Sequence, residues 1–215
     1  MIIYLTRKFT FLKYLDTLDK YLDEYSKDFL KKSEENLKNH TDDDREFELD
    51  HNILPEYFLL AEDFPDILRK SFIITCYSYL EHQLKVQCKF IKNRKSEPLD
   101  ITDLRNSGIN QARTYLKKIA NIDISDIKCW DDIKHIGEIR NLIVYRDSSL
   151  PDESSEIRRY INIRTDISIN VNTFIIHAEY CRYVINIIDE FLFSVEKMIG
   201  IEEYGNEQKY FIMSI

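Results

Sequence analysis

Residues 129–147, CWDDIKHIGEIRNLIVYRD, decide how the rest of the chain is read. Trp130, Ile133, Ile136, Ile139, Ile143 and Val144 recur mostly at steps of three and four, which puts them on one side of an amphipathic helix. Set into this helix is the run Arg140-Asn141-Leu142-Ile143-Val144-Tyr145-Arg146. An Arg and an Asn beside an apolar run, followed by a polar aromatic, is a poor way to build a helix that only fills a core. Ser125 is read as the cap of this helix. After Arg146 the pattern stops in a loop, residues 147–155, with Pro151 and several acidic residues.

Working outward, residues 65–93 read as a long helix with Pro65 in its first turn and Asp63 as its cap. Phe72, Ile73, Cys76, Tyr79, Leu80, Leu84, Val86, Cys88 and Ile91 make it apolar over much of its circumference, as expected of a central helix. Glu81 and His82 interrupt that surface. Residues 52–63 read as a short helix ending before Pro65, because the residue before a proline is pushed out of helical geometry. A helix over 3–39 is carried by Phe9, Leu12, Leu15, Leu18, Leu22, Tyr25 and Phe29, and residues 40–50, HTDDDREFELD, by their charge, read as a solvated connection. Downstream of 93, KNRKSEP is a basic turn. Thr102 is read as the cap of a helix over 103–120 that Gly108 weakens or interrupts. Glu156–Ile161 gives one or two helical turns. The β-branched alternation of Ile163, Ile167, Ile169 and Val171 fits a small extended arm or hairpin. Asn172 or Thr173 caps a last long helix reaching Met198. No internal repeat is visible, and the aromatic tail from Gly200 has no assigned structure.

The fold class expected is all-α: an antiparallel bundle of about five long helices with a small extended or β insertion near 163–171. Composition agrees, with 44% hydrophobic residues, 32% charged residues, and only four glycines and four prolines in 215 residues. One domain is expected, with 1–50 as a helical extension and acidic loop and 65–198 as the core. A net charge of −8 argues against a general nucleic-acid binder, though not against a small basic groove on an acidic body. Cys76, Cys88, Cys129 and Cys181 lack metal-ligand spacing and each falls in an apolar pattern, so buried thiols, no metal and no cofactor are expected. No secretory signal and no membrane-length apolar run is seen, which points to a reducing cytoplasm.

The segment around Arg140 resembles the signature of the HEPN superfamily, compact helical domains of prokaryotic defence and toxin systems, many of them ribonucleases. That signature is an Arg, commonly followed by Asn, then a His after four to six residues. Arg140 and Asn141 match it, and four residues on, Tyr145 stands where the His would be. The upstream helix with Ser78-Tyr79-Leu80-Glu81, Trp130 ahead of the motif and the apolar helix behind it extend the resemblance over residues 65–198. It implies a homodimer whose two motifs face each other, RNA as ligand, and an antitoxin or other defence protein as partner. By the same likeness Glu81 would orient Arg140 through a charge-assisted hydrogen bond. Read from its residues alone, Glu81 is as well accounted for by solvent exposure.

The cleavage of the resembling families is metal-independent: the ribose 2′-oxygen attacks the neighbouring phosphate and leaves a cyclic phosphate end. It needs a base, and His suits this because its pKa lies near working pH. It needs a fixed cation on the phosphoryl oxygens, here Arg140, and a polar positioning group, here Asn141. Tyr145 is the departure: an unperturbed phenol titrates near pH 10, so only about one in 10³ is ionised at pH 7. Arg146 is read as a second cation acting on Tyr145, which otherwise serves as a hydrogen-bond donor or a general acid. His135 would lie about 140° around the helix from Arg140 and joins the site only if the helix breaks near Gly137. Two functions compete: an RNA-acting protein, in the active case a metal-independent endoribonuclease, and a catalytically inactive HEPN-like dimerisation or partner-binding module. A plain helical adaptor is the third.

Overall fold

The structure is a computed structural model that describes residues 2–38, 40–105 and 107–200, with side chains described from residue 7. The long helix α1, Ile2–Leu37, lies against the C-terminal helix α8, Ala178–Ile199. Leu15, Ser26, Ser33 and Leu37 form its buried line, while Phe9 and Tyr25 of the expected stripe point outward. Lys8 to Asp189 (3.4 Å), Arg69 to Asp19 (2.9 Å) and Arg182 to Asp16 (2.7 Å) tie α1 to its neighbours.

The break expected over 40–50 is confined there to residues 40 and 41, and the helix expected to end before Pro65 runs on through it. Thr41 caps α2, Asp42–Glu48, with its hydroxyl accepting from the Asp44 N–H, and three aspartates fill the first turn, where the helix dipole favours them. From there residues 42–95 run as one helix: α2, a π-turn at Leu49–Ile53, α3 (Leu54–Phe58), a second π-turn at Leu59–Asp63, and α4, Phe64–Lys95. Asp63 is therefore helical and caps nothing. The prolines explain the π-turns. In a regular helix a proline lacks the N–H owed to the carbonyl four residues back, and its ring presses on that carbonyl. Pro55 and Pro65 each stand two residues past a π-turn, where the bonds already run five residues back, Leu54 N–H to the Leu49 carbonyl and Phe64 N–H to the Leu59 carbonyl.

Helix α4 is the centre of the bundle. Phe72, Ile73, Cys76, Leu80, Leu84, Cys88 and Ile91 are buried between α8 on one side and α5 (Gly108–Tyr115) and α6 (Trp130–Arg146) on the other. All four cysteines are free and buried, and burial pushes the Cys129 thiol up to about 11 and the Cys88 thiol up to about 12. The cations of the KNRKSEP turn are held in structure. Lys92 pairs with Asp100 at 2.7 Å. Arg94 donates to the Ile199 carbonyl at the end of α8, and Lys95 to the Ile119 carbonyl. These are last-turn carbonyls that lack helical partners.

Thr102 lies in a short 3-10 turn, Ile101–Asp103, capped by Asp100. The helix expected over 103–120 starts only at Gly108: α5 is Gly108–Tyr115, followed by a π-turn at Leu116–Ala120. Gly108 sits at φ +60°, a left-handed position that glycine adopts without a Cβ penalty. Ser125 lies in another 3-10 turn, and α6, Trp130–Arg146, starts after Cys129 instead. Helix α6 ends at Asp147 and Ser148, both left-handed, whose N–H groups turn back to the Leu142 carbonyl.

Helix α7, Glu156–Asn162, leads into an antiparallel hairpin, β1 Ile167–Asn170 and β2 Thr173–Ile176. Of the two residues assigned to the cap of the last helix, Asn172 lies in the hairpin turn and Thr173 opens the second strand, and the helix instead starts after His177. Ser149 pairs with Thr173, so the hairpin also fastens the exit of α6. Behind it, Arg164 makes two 2.6 Å hydrogen bonds to Asp166 and lies 4.1 Å from the Tyr183 ring centre and 4.8 Å from that of Tyr180. Tyr183 donates to Asp132 of α6 at 2.6 Å. The architecture is an all-α bundle with a small β insertion. Among the described residues no helix is long and apolar enough to cross a membrane.

Candidate functional site

Helix α6 buries Trp130, Ile133, Ile136, Gly137, Ile139 and Leu142. Leu142 completes the stripe, not Val144, which is largely exposed. This rotation leaves Arg140, Asn141 and Tyr145 on the wall of an open groove of about 800 Å³ between α4, α5 and α6. Tyr77 and Glu81 of α4 form the facing wall, and Ser107 to Asn110 and Arg113 close one end.

Arg140 is half-buried. One terminal nitrogen donates to Asn141 Oδ1 at 3.0 Å, and the guanidinium carbon lies 5.8 Å from the Tyr145 ring centre. Its Nε is buried with no hydrogen-bond partner. No carboxylate lies within ion-pair distance of it among the described residues. Arg113 differs: it pairs with Asp123 (3.2 Å), donates to Ser125 Oγ (3.2 Å) and lies over the Trp130 ring. Lys134 pairs with Asp131 at 2.8 Å. A buried guanidinium edge with unused donors next to a polar groove is an anion site in chemical terms, since its natural complement is a phosphate or carboxylate taken by two parallel bonds.

Glu81 faces the same groove without hydrogen bonding to Arg140. Its Oε1 lies against Gly108, 2.5 Å from where a Cβ on that glycine would stand. That places a carboxylate at the positive end of α5, a competing attraction. Tyr77, which the sequence reading did not single out, is the third member. Burial pushes its hydroxyl up to about 12, with Glu81 acting in the same direction and Arg140 against it. Its oxygen lies 2.5 Å from the position of a Cβ on Gly137, so the glycine of the motif helix is what lets the phenol approach. The signal was present in the sequence as a helical glycine three residues before Arg140, but its partner on α4 was not readable.

Tyr145 is 74% exposed in the last turn of α6, and Arg146, also exposed, is not among the residues lining the groove. Helix α6 is unbroken at Gly137, so His135 faces away: it stacks on Tyr160 at 4.2 Å and approaches Glu156 at 3.5 Å. His82 is exposed, and His177 is the extended residue before α8. Among the described residues lining the groove there is no histidine, and no three metal-ligating side chains converge anywhere among the described residues. Comparison with known protein families, with curated proteins and with solved structures finds no match to this chain.

Proposed function

We propose that this protein acts on RNA as a HEPN-type domain of a bacterial defence or toxin–antitoxin system, with the groove at Arg140 receiving a backbone phosphate. The observation that carries this reading is the Arg140 side chain. It is half-buried, pinned by Asn141 at one nitrogen, unpaired with acid, and left with a buried Nε unsatisfied. A structural arginine in such a place normally finds a carboxylate, as Arg164 and Arg69 do here. A phosphodiester would fill the vacant edge of the guanidinium with two charge-assisted bonds. Charge growing on the phosphoryl oxygens during attack by a 2′-oxygen would then fall on a cation already in position. Tyr145, whose exposed phenol stands at the mouth of the groove, would serve as a hydrogen-bond donor or general acid, in a dimer bringing two such mouths together.

A second reading is favoured by the exposed Val144–Tyr145 pair at the end of α6 and the absence of histidine from the groove lining. In it the same surface joins copies of the chain or a partner protein without cleavage.

The test is labelled RNA incubated with purified protein in EDTA, beside Arg140→Ala and Tyr145→His. RNA binding by the parent that weakens at least tenfold in Arg140→Ala supports the first reading. Cleavage to a cyclic phosphate end, by the parent or gained in Tyr145→His, assigns the enzyme. Clean dimers that bind no RNA in any of the three favour the second reading.

A further inference from the structure

Two tyrosines packed in this bundle place their hydroxyls on acceptors, whereas the hydroxyl of the fully buried Tyr180 has none. Tyr115 donates to the Leu99 carbonyl at 3.0 Å, and Tyr183 donates to Asp132 at 2.6 Å. That is the usual fate of a phenol with its ring in a core and its polar end enclosed. Tyr77 departs from it. Its ring is half-buried in α4, its hydroxyl opens on the groove, and it has no hydrogen-bond partner among the described residues. The space it occupies exists because residue 137 has no side chain: a Cβ there would stand 2.5 Å from the Tyr77 oxygen and 3.1 Å from the ring carbon bearing it. Glycine in the middle of an exposed or half-exposed helix costs about 1 kcal/mol relative to alanine. Its presence in the helix that carries Arg140 and Asn141 is accounted for by the seat it makes for this hydroxyl.

Resting on the reading of the groove as an RNA site, we infer that Tyr77 is a phosphate-contacting residue of that site, a hydroxyl donor held beside Arg140 by Gly137. The two donors divide the task. Arg140 supplies charge from α6. Tyr77, from the opposite wall, supplies a directional donor to another oxygen of the same phosphate or to the adjoining ribose. Glu81, on the same wall, repels a phosphate that slides towards α5, which confines the anion to the Arg140–Tyr77 end. Burial raises the Tyr77 hydroxyl to about 12, so it keeps its proton through the whole range in which RNA is handled. It therefore donates at every such pH and is not a base.

The experiment is binding of a fluorescein-labelled single-stranded RNA dodecamer to the full chain, by anisotropy across a salt series. It compares the parent with Arg140→Ala, Tyr77→Phe, Gly137→Ala and the Tyr77→Phe/Gly137→Ala pair, with melting temperatures measured alongside. Tyr77→Phe is expected to weaken binding about three- to tenfold, the worth of one hydrogen bond. The slope of log affinity against log salt stays at the parent value, because no charge is lost. Arg140→Ala is expected to make that slope shallower. Gly137→Ala should weaken binding by at least as much as Tyr77→Phe, but add little in the Tyr77→Phe background, where the colliding oxygen is gone. Loss in Arg140→Ala with Tyr77→Phe at parent affinity overturns the role of Tyr77 and leaves the groove reading standing. A loss in Tyr77→Phe matched by a fall in melting temperature overturns it as a structural effect. A parent with no salt-dependent RNA binding overturns both.

Discussion

Replacing Arg140 by alanine should leave the bundle nearly as stable as the parent, and the size of the effect follows from what the side chain touches. The substitution removes one hydrogen bond, to Asn141 at 3.0 Å, worth about 0.5–1.5 kcal/mol. It also removes the contact of the apolar stem with the groove wall, on the order of 1 kcal/mol. Against these stands the relief of a buried Nε with no partner, a penalty of about 1–3 kcal/mol. Alanine is also the best helix former. The net change is within about 1 kcal/mol of zero, or roughly 2–4 °C in melting temperature for a chain of this length. The assay is urea unfolding followed by circular dichroism, with the midpoint and slope compared between the two proteins. A loss above about 3 kcal/mol would refute the reasoning, because it would make Arg140 a strut between helices and remove the ground for placing an anion on it.

Arg164→Ala is the counter-case: it strands Asp166, which is largely buried, and should cost about 3–5 kcal/mol in the same urea assay. Asp100 should give acid sensitivity. The Lys92 hydrogen bond and the Thr102 N–H lower its carboxyl from 3.8 to about 2, so its stabilisation is present above pH 4 and lost as the pH falls through about 2. Asp100→Asn should therefore flatten the stability profile between about pH 4 and pH 2 and leave it unchanged in shape above pH 5. Val171 turns the hairpin at φ +52° with its side chain 86% exposed, an unfavourable place for a β-branched residue. Val171→Asn should raise stability by about 0.5–1 kcal/mol, read as a higher thermal midpoint, and a fall would refute the strain argument.

The parts of the fold that sequence periodicity carries are those where one face is buried over several turns. Helices α4, α6 and α8 are of that kind, and so is the β-branched arm that becomes β1. The approach to α4 was misread because proline and a run of aspartates normally signal a break, whereas here π-turns absorb the prolines and the aspartates fill a first helical turn. Lys92, Arg94 and Lys95 looked like a free basic turn, but their partners are carbonyls and a carboxylate distant in sequence or beyond the helix end. At the site, Arg140, Asn141 and Tyr145 line one groove with Glu81, which does not make the hydrogen bond to Arg140 that the resemblance implied. Tyr77 was not legible because its significance depends on a glycine in another helix.

The two π-turns have a consequence for how the chain tolerates changes of length. Each holds one residue more than the α-turn it replaces. Deleting a single residue between Leu59 and Asp63 would close the turn to regular pitch, and Pro65 would meet the carbonyl it now avoids. Residues 40–63, which look in sequence like the natural place for a linker, a tag or a protease site, are therefore the wrong place to cut or lengthen this protein. The loop between α6 and α7, at residues 151–154, is the better one.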